Sequence, residues 1–253
     1  AGFERWADTD VLLAVGTRQE LVWFRWPDTP EGLVTVNVDI DPAQQERLEP
    51  TVGLTGDSRL VVDQLLAALQ DAPQRPSRHE ELAGIKEKAR REIAELEPHA
   101  DYLAAIREVL PRDGYFVEEV SQIGFASYFA LDVYDPRHFI TCGYQGNLGY
   151  GFPTALGVQA AHRDSVVVSV TGDGGFMYGV QELATAVQYG LNVITVVFDN
   201  GAFGNVQADQ VRIYGHGSGT ELRNPDFVAM AESFGALGLR AVSYTHLRAH
   251  ETV

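Results

Sequence analysis

Asp173 and Asn200 are the side chains in this sequence best placed to share a hard cation. Each sits in a glycine-rich turn, Gly172-Asp173-Gly174-Gly175 and Asp199-Asn200-Gly201, and each turn follows an apolar run, 166–171 and 193–198. Between the turns, Val180, Leu183, Ala184 and Val187 recur at helical spacing. Residues 166–207 therefore read as strand, turn, helix, strand, turn: one parallel β-α-β unit. In such a unit both turns lie at the carboxyl ends of neighbouring strands, the edge at which open α/β sheets bind ligands. A carboxylate, an amide oxygen and a main-chain carbonyl of the second turn are the donors Mg²⁺ takes, with phosphate and water completing its octahedron. Gly174 and Gly175 open the helix, so free N–H groups and the positive helix end face an anion. A diphosphate bridged to protein through Mg²⁺ fits this set. Two ordinary turns joining buried strands would use the same residue types, and the flanking sequence has to decide.

Gly172-Asp173-Gly174, followed after this spacer by Asn200, resembles the cofactor motif of the thiamine diphosphate-dependent enzymes. The resemblance implies that Asp173, Asn200 and the backbone carbonyl of Ala202 hold Mg²⁺, with Phe203-Gly204-Asn205 continuing the cofactor turn. Asp199 departs from the pattern, since the family commonly has a second Asn there. A further block, Gly143 through Pro153, is similar to the Gly-x-x-Gly-x-(Met/Leu)-Gly-(Phe/Tyr)-Gly-x-Pro run of the acetolactate synthase-like branch. By that resemblance Leu148 sits under the cofactor and bends it, and its amide faces the pyrimidine. The Gly146 carbonyl holds the 4′-amino group, with Asn147 between the two. Gln122 matches a glutamine that touches the diphosphate. The implied cofactor positions also take in Gly172, Gly174, Gly175, Phe203 and Gly204. Ile123 stands where the acetolactate synthases usually carry histidine. Tyr144 and Gln145 replace a smaller pair near the reacting carbon, a place from which they could shape substrate choice or turn away.

The family's cofactor accepts electrons when a 2-oxo acid loses CO₂. The resemblance implies decarboxylation followed by carboligation, with a simple 2-oxo acid decarboxylase as the alternative. In the family an activating Glu comes from a pyrimidine-binding domain of a partner subunit. No residue here matches it, so no catalytic residue is assigned and the chain reads as the C-terminal part of a longer enzyme. A homodimer or homotetramer through the cofactor domain is expected. A third reading, a non-catalytic nucleotide-binding Rossmann module, needs Gly-x-Gly-x-x-Gly, and Gly172 through Met177 lacks the third glycine.

The rest of the chain must position these turns. The fold expected is α/β, a parallel-sheet thiamine diphosphate-binding domain preceded by a partial Rossmann-like central domain. Residues 1–70 hold strands at 11–15 and 33–40 and a helix at 58–69 with Leu60, Val61, Leu65 and Leu69 apolar. Two strands and a helix are too few for a sheet covered on both faces, so this is the second half of a domain. Asp39-Ile40-Asp41-Pro42 resembles the close of the family's central domain, which in some members binds FAD. Gly16-Thr17-Arg18-Gln19 lacks the acidic-basic pattern of those members, leaving a structural spacer as the simpler reading. Residues 71–98 are a linker with a charged helix at 80–96, and 99–240 form the pyrophosphate-binding domain. Its expected elements are helices at 102–110 and 153–161, strands at 114–120, 138–141, 166–170 and 193–198, and a helix starting at Asn224-Pro225-Asp226. Residues 207–219 should lie near the site mouth, with His216 a solvated loop histidine. Residues 241–253 do not follow the family and are set aside as a non-native tail.

A net charge of −16 argues against nucleic acid and anionic membrane as partners, but not against a phosphate held by backbone amides and a metal. No apolar stretch is long enough to span a bilayer, and the N-terminus does not read as a signal peptide. A single cysteine, Cys142, excludes an internal disulfide and reads as a small buried residue suited to a reducing, cytoplasmic compartment.

Overall fold

A computed structural model describes residues 2–20, 22, 26, 28–73 and 76–242. Residues 243–253, most of the segment set aside as a tail, lie outside the described residues. The chain divides into two compact units, 1–89 and 90–253. Among the described residues no helix is long and apolar enough to cross a membrane.

The first unit is built on three parallel strands in the order β1 (Val11–Val15), β2 (Val34–Asp39), β3 (Val52–Thr55). The sequence reading counted two strands. β3 escaped it because four residues, Val-Gly-Leu-Thr, are too short to show a period and carry a glycine. Helices α1 (Gly2–Trp6) and α2 (Pro42–Leu48) were also unassigned. α2 starts where its chemistry dictates: Asp41 caps the Ala43 amide at 3.0 Å and Pro42 takes the first turn, where its missing N–H costs nothing. Helix α3 (Ser58–Ala68) is capped by Asp57, but only part of its predicted apolar face is used. Val61 and Leu65 are half-buried, whereas Leu60 is exposed and Leu69, beyond the helix end, is exposed too. Helix α4 (His79–Ala94) then buries no residue, as its charged sequence requires.

In the second unit α5 (His99–Val109) leads into β4 (Tyr115–Glu118), α6 (Gln122–Ala130) and β5 (Phe139–Ile140). Next come α7 (Gly151–Ala161), β6 (Val167–Gly172), the short α8 (Asp173–Phe176) and α9 (Leu183–Tyr189). Strand β7 (Ile194–Phe198), α10 (Gly204–Tyr214) and α11 (Phe227–Ser233) complete it. The sheet is parallel throughout, in the order β5-β4-β6-β7. Its central strands are covered on both faces, which is why β6 reads as a continuous apolar run. Phe116, Val168 and Val170 pack against Leu103, Ile106, Leu110 and Ile123, while Val117 and Val167 pack with Ala155 of α7 on the other side. Truncating a ring such as Phe116 in that core costs about 3–5 kcal/mol.

The stretch between β6 and β7 departs from expectation. It is not one helix but α8, a 3-10 turn at Val180–Glu182, and α9. Leu183 is buried as foreseen, but Ala184 and Val187 are exposed and Ala186 packs inward instead. A 3-10 turn advances three residues per turn rather than 3.6, so it rotates the face that a continuous helix would have buried. Gly179 precedes this break; a Cβ there would lie 2.8 Å from the Pro153 ring, so glycine lets the turn pack closely on α7. The sequence reading also left α6 and α10 unassigned.

Candidate functional site

The strand order reverses direction between β4 and β6: from β4 the chain moves outward to β5, then returns to place β6 and β7 on the other side. The crevice outside the carboxyl ends at such a switch is where doubly wound sheets take ligands. The segments that meet there begin at Glu119, Asp173 and Asp199.

Gly172 pairs with Phe198, so Asp173 and Asp199 start their turns side by side. Asp173 is 2% exposed and does not cap its own helix. Its Oδ2 instead accepts from the Gly201 amide at 2.9 Å and from Asn224 Nδ2 at 2.6 Å. Asp199 Oδ1 accepts from the same two groups, at 3.2 and 2.8 Å. The two carboxylates are thus held together by shared donors and strengthened by their charge. Asn224 was seen in the sequence only as a helix start; nothing in its neighbours signals that its side chain reaches back to Asp173.

A short antiparallel bridge, Ala202 to Glu221, brings that segment in. It uses the Gly201 carbonyl, accepting from Leu222 at 2.7 Å, and the Phe203 amide, donating to Thr220 at 2.8 Å. Neighbouring residues of an extended chain present their polar groups to opposite sides, so the N–H and C=O of Ala202 face away from the bridge. The Ala202 N–H donates to Asn200 Oδ1 at 3.3 Å, which puts the Ala202 backbone on the side of the Asn200 amide.

Several of the other predicted positions meet at the same edge. The Asn200 amide nitrogen lies 2.9 Å, and Gln122 Nε2 3.5 Å, from the point where a Gly204 Cβ would stand. Gln122, at the start of α6, Asn200 and Gly204 therefore share one corner. A Cβ on Gly174 would run into the Phe203 ring and Leu222, and one on Gly172 would touch Ser121. Gly146, left-handed at φ 57°, faces Val120. Asn147 is exposed and Leu148 half-buried in the turn between Gly146 and Gly149. Gly175, read as a helix-opening glycine, has its Cα against the Glu119 carboxylate. His216 is exposed, as expected, with Nδ1 3.1 Å from the Tyr214 carbonyl.

Two glutamates at the end of β4 were missed, although an acidic pair closing an apolar strand is itself a signal. Glu118 and Glu119 are fully buried. Glu118 accepts from Tyr128 and Thr141 and lies 3.8 Å from Cys142 Sγ. Burial, with the Glu118 charge adding to it, pushes Tyr128 up to about 12 and raises the Cys142 thiol. Cys142 is partly exposed rather than buried, correcting the sequence reading. Glu119 accepts from Gly149, Gly151 and Thr171 on the opposite face of the sheet.

The donor set can be tested against a cation. Among the described residues no group of three or more His, Cys, Asp and Glu converges to hold one. A cation at this edge would rest on one or two acids plus amide and carbonyl oxygens, leaving positions for phosphate and water. That is the environment of Mg²⁺ rather than of a transition metal.

Residues 119–251 match the family model of the thiamine pyrophosphate enzymes, C-terminal TPP binding domain. That span includes most of the segment the sequence reading had set aside as a tail. The acetolactate synthase isozyme 3 large subunit of Escherichia coli is 32% identical over 256 residues, covering 94% of this chain and 44% of the relative. The acetolactate synthase large subunit of Haemophilus influenzae is 30% identical, over 92% of this chain and 43% of its own length. The "Probable 2-ketoarginine decarboxylase AruI" of Pseudomonas aeruginosa is also 30% identical, with the same coverage of 92% and 43%. The chain thus spans less than half the length of these relatives.

Proposed function

The chain belongs to the thiamine pyrophosphate enzymes, carrying their C-terminal TPP binding domain, and we propose that it is the cofactor-anchoring part of a larger enzyme acting on a 2-oxo acid. The observation that carries the reading is the buried Asp173 joined to the Asn200 turn through the Gly201 amide. In this reading Asp173, Asn200 and the Ala202 carbonyl hold Mg²⁺. Gln122 and the turn at Gly172, Gly174 and Gly175 anchor the diphosphate, with Phe203 and Gly204 closing that corner. Gly146, Asn147 and Leu148 would meet the pyrimidine half, Leu148 packing against it. Thiamine diphosphate, when bound, supplies the electron sink for loss of CO₂. The chain's own groups anchor, orient and desolvate. The activating carboxylate is to come from a pyrimidine-binding domain of a partner subunit, in a dimer or tetramer.

Similarity to acetolactate synthase large subunits favours decarboxylation followed by carboligation. A relative named for decarboxylation at comparable identity supports the second reading, release of an aldehyde. Product analysis with pyruvate on the enzyme containing this chain separates them: a condensation product for the first, acetaldehyde for the second.

The cofactor reading has its own test. Thiamine diphosphate with Mg²⁺, about 100-fold above its Kd, should stabilise the 253-residue chain by about 2.7 kcal/mol, a melting shift of several degrees. NAD should give none. A chain indifferent to thiamine diphosphate and Mg²⁺, or stabilised equally by NAD, defeats the proposal.

A further inference from the structure

Successive residues of a strand point to opposite faces of the sheet, so Glu118 and Glu119 at the end of β4 diverge. Each is fully buried, and each reaches one end of the same loop. Glu118 Oε1 takes the Tyr128 hydroxyl at 2.8 Å, the Thr141 hydroxyl and the Cys142 thiol, at the point where the chain leaves β5. Glu119 takes the loop's far end: Oε1 accepts from the Gly149 amide, and Oε2 from the Gly151 amide at 3.3 Å and the Thr171 hydroxyl at 2.7 Å. The 143–148 segment between these anchors carries Gly146 and Leu148. We infer that Glu118 and Glu119 are positioning residues that fix both ends of this loop and so preorganise the surface meeting the pyrimidine half of the cofactor; this rests on the cofactor reading above.

Three features distinguish this from general core packing. Glu119 is tied by hydrogen bonds to two backbone amides and one hydroxyl, not to a basic residue, so both its oxygens are satisfied by the elements it joins. The motif glycines make room for it: a Cβ on Gly151 would lie 2.8 Å from the Glu119 Cβ, and one on Gly175 would overlap its carboxylate. The two acids also differ in how they are satisfied. Both oxygens of Glu119 accept, so either orientation of a glutamine would set an NH₂ against a backbone N–H. Glu118 uses Oε1 alone, and its buried Oε2 has no partner. A glutamine there keeps the accepting oxygen.

The test compares Glu119→Gln, Glu118→Gln and Thr171→Val in the 253-residue chain. In the cofactor-free chain, hydrogen exchange of the Gly149 and Gly151 amides should quicken about tenfold or more in Glu119→Gln. It should change less than about threefold in Glu118→Gln, and Thr171→Val, which removes one of three donors, should fall between them. Unchanged exchange in Glu119→Gln, or equal acceleration in Glu118→Gln, overturns the inference. Should Glu119→Gln fail to fold, the intermediate effect of Thr171→Val decides alone. A second readout separates positioning from bulk stability. Glu119→Gln should weaken thiamine diphosphate binding about tenfold and Mg²⁺-pyrophosphate binding by less than about threefold, since Glu119 also packs on Gly175 of the diphosphate turn. Equal loss of both ligands marks a merely structural role. Wild-type chain that binds neither ligand refutes the cofactor reading instead, and the exchange result still stands or falls by itself.

Discussion

The two parallel sheets of this chain end in similar acidic turns, yet they use their acids differently. In the first unit Asp41 and Asp57 cap the helices they precede, and Asp39 Oδ1 accepts from Asp41 N at 3.0 Å. Every one of those bonds spans two or three residues. In the second unit Asp173 opens a helix without capping it, and its partners lie 28 and 51 residues away. Glu119 likewise reaches across 30, 32 and 52 residues. A capping acid shapes its own turn and remains exposed. An acid fixed by distant donors assembles several loops around a point, and its own helix end stays available. Long-range wiring of acids, more than their presence on a sheet edge, sets apart the edge proposed to bind.

The largest effect that contrast predicts is at Asp173. Asp173→Ala should abolish the Mg²⁺-dependent response to thiamine diphosphate, an affinity loss of at least about 100-fold by calorimetry, since it removes both the proposed ion ligand and the anchor of the Asn200 turn. Retained affinity would put the ion elsewhere. Next is Asn224→Ala, which touches no ligand in this reading but releases both Asp173 and Asp199. Groups that orient ion ligands typically contribute 10–100-fold in affinity, so a loss of about tenfold or more is expected, with little change in melting temperature. A variant as tight as wild type would mean the shared donor is incidental.

How far the sequence disclosed this site follows from the same distinction. The Asp173 and Asn200 turns were legible because glycine-flanked polar residues at the ends of apolar runs announce strand ends, and the β6–β7 pairing brings them together. Asn224 was not, because a partner chosen through tertiary folding leaves no local period or spacing; the acidic pair closing β4 marked Glu119 as unusual, but nothing local named the Gly149, Gly151 and Thr171 donors it reaches. Within the fold, β6 and β7 stood out as β-branched runs, while β3 was too short and α6, apolar on nearly every side with Phe125 and Phe129 exposed, showed no amphipathic face. The exposed Ala184 and Val187 show the converse error: a correct periodicity read through a 3-10 turn that resets it.

A smaller effect is expected where the acid works locally. Asp57→Ala removes the cap of α3, whose Oδ1 accepts from Arg59 N at 3.0 Å and Leu60 N at 3.2 Å. Loss of such a cap costs about 1 kcal/mol in urea unfolding, and the response to thiamine diphosphate and Mg²⁺ should be untouched. A change in cofactor affinity would blur the contrast between the two edges.

Asp226 makes the sharpest case, because it lies two residues from Asn224 yet caps its own helix as Asp41 and Asp57 do, with one added bond to Arg240. It caps α11 through the Val228 and Ala229 amides at 3.0 and 3.2 Å and meets Arg240 at 2.8 Å. The Ala229 amide foremost, with Arg240 assisting, holds its carboxyl below the usual aspartate range. A depressed folded-state pKa stabilises the fold above the unfolded value, near 3.9, and that contribution fades as pH falls through the folded value. Asp226→Asn keeps a capping oxygen and removes the titration. Its stability should therefore vary less steeply than wild type below about pH 4, by a small margin given full exposure, while cofactor affinity at neutral pH stays the same. If proximity to the site were what counted, Asp226→Asn would weaken binding as Asn224→Ala does. If wiring counts, the two neighbouring substitutions part company, one read in acid unfolding and the other in calorimetry.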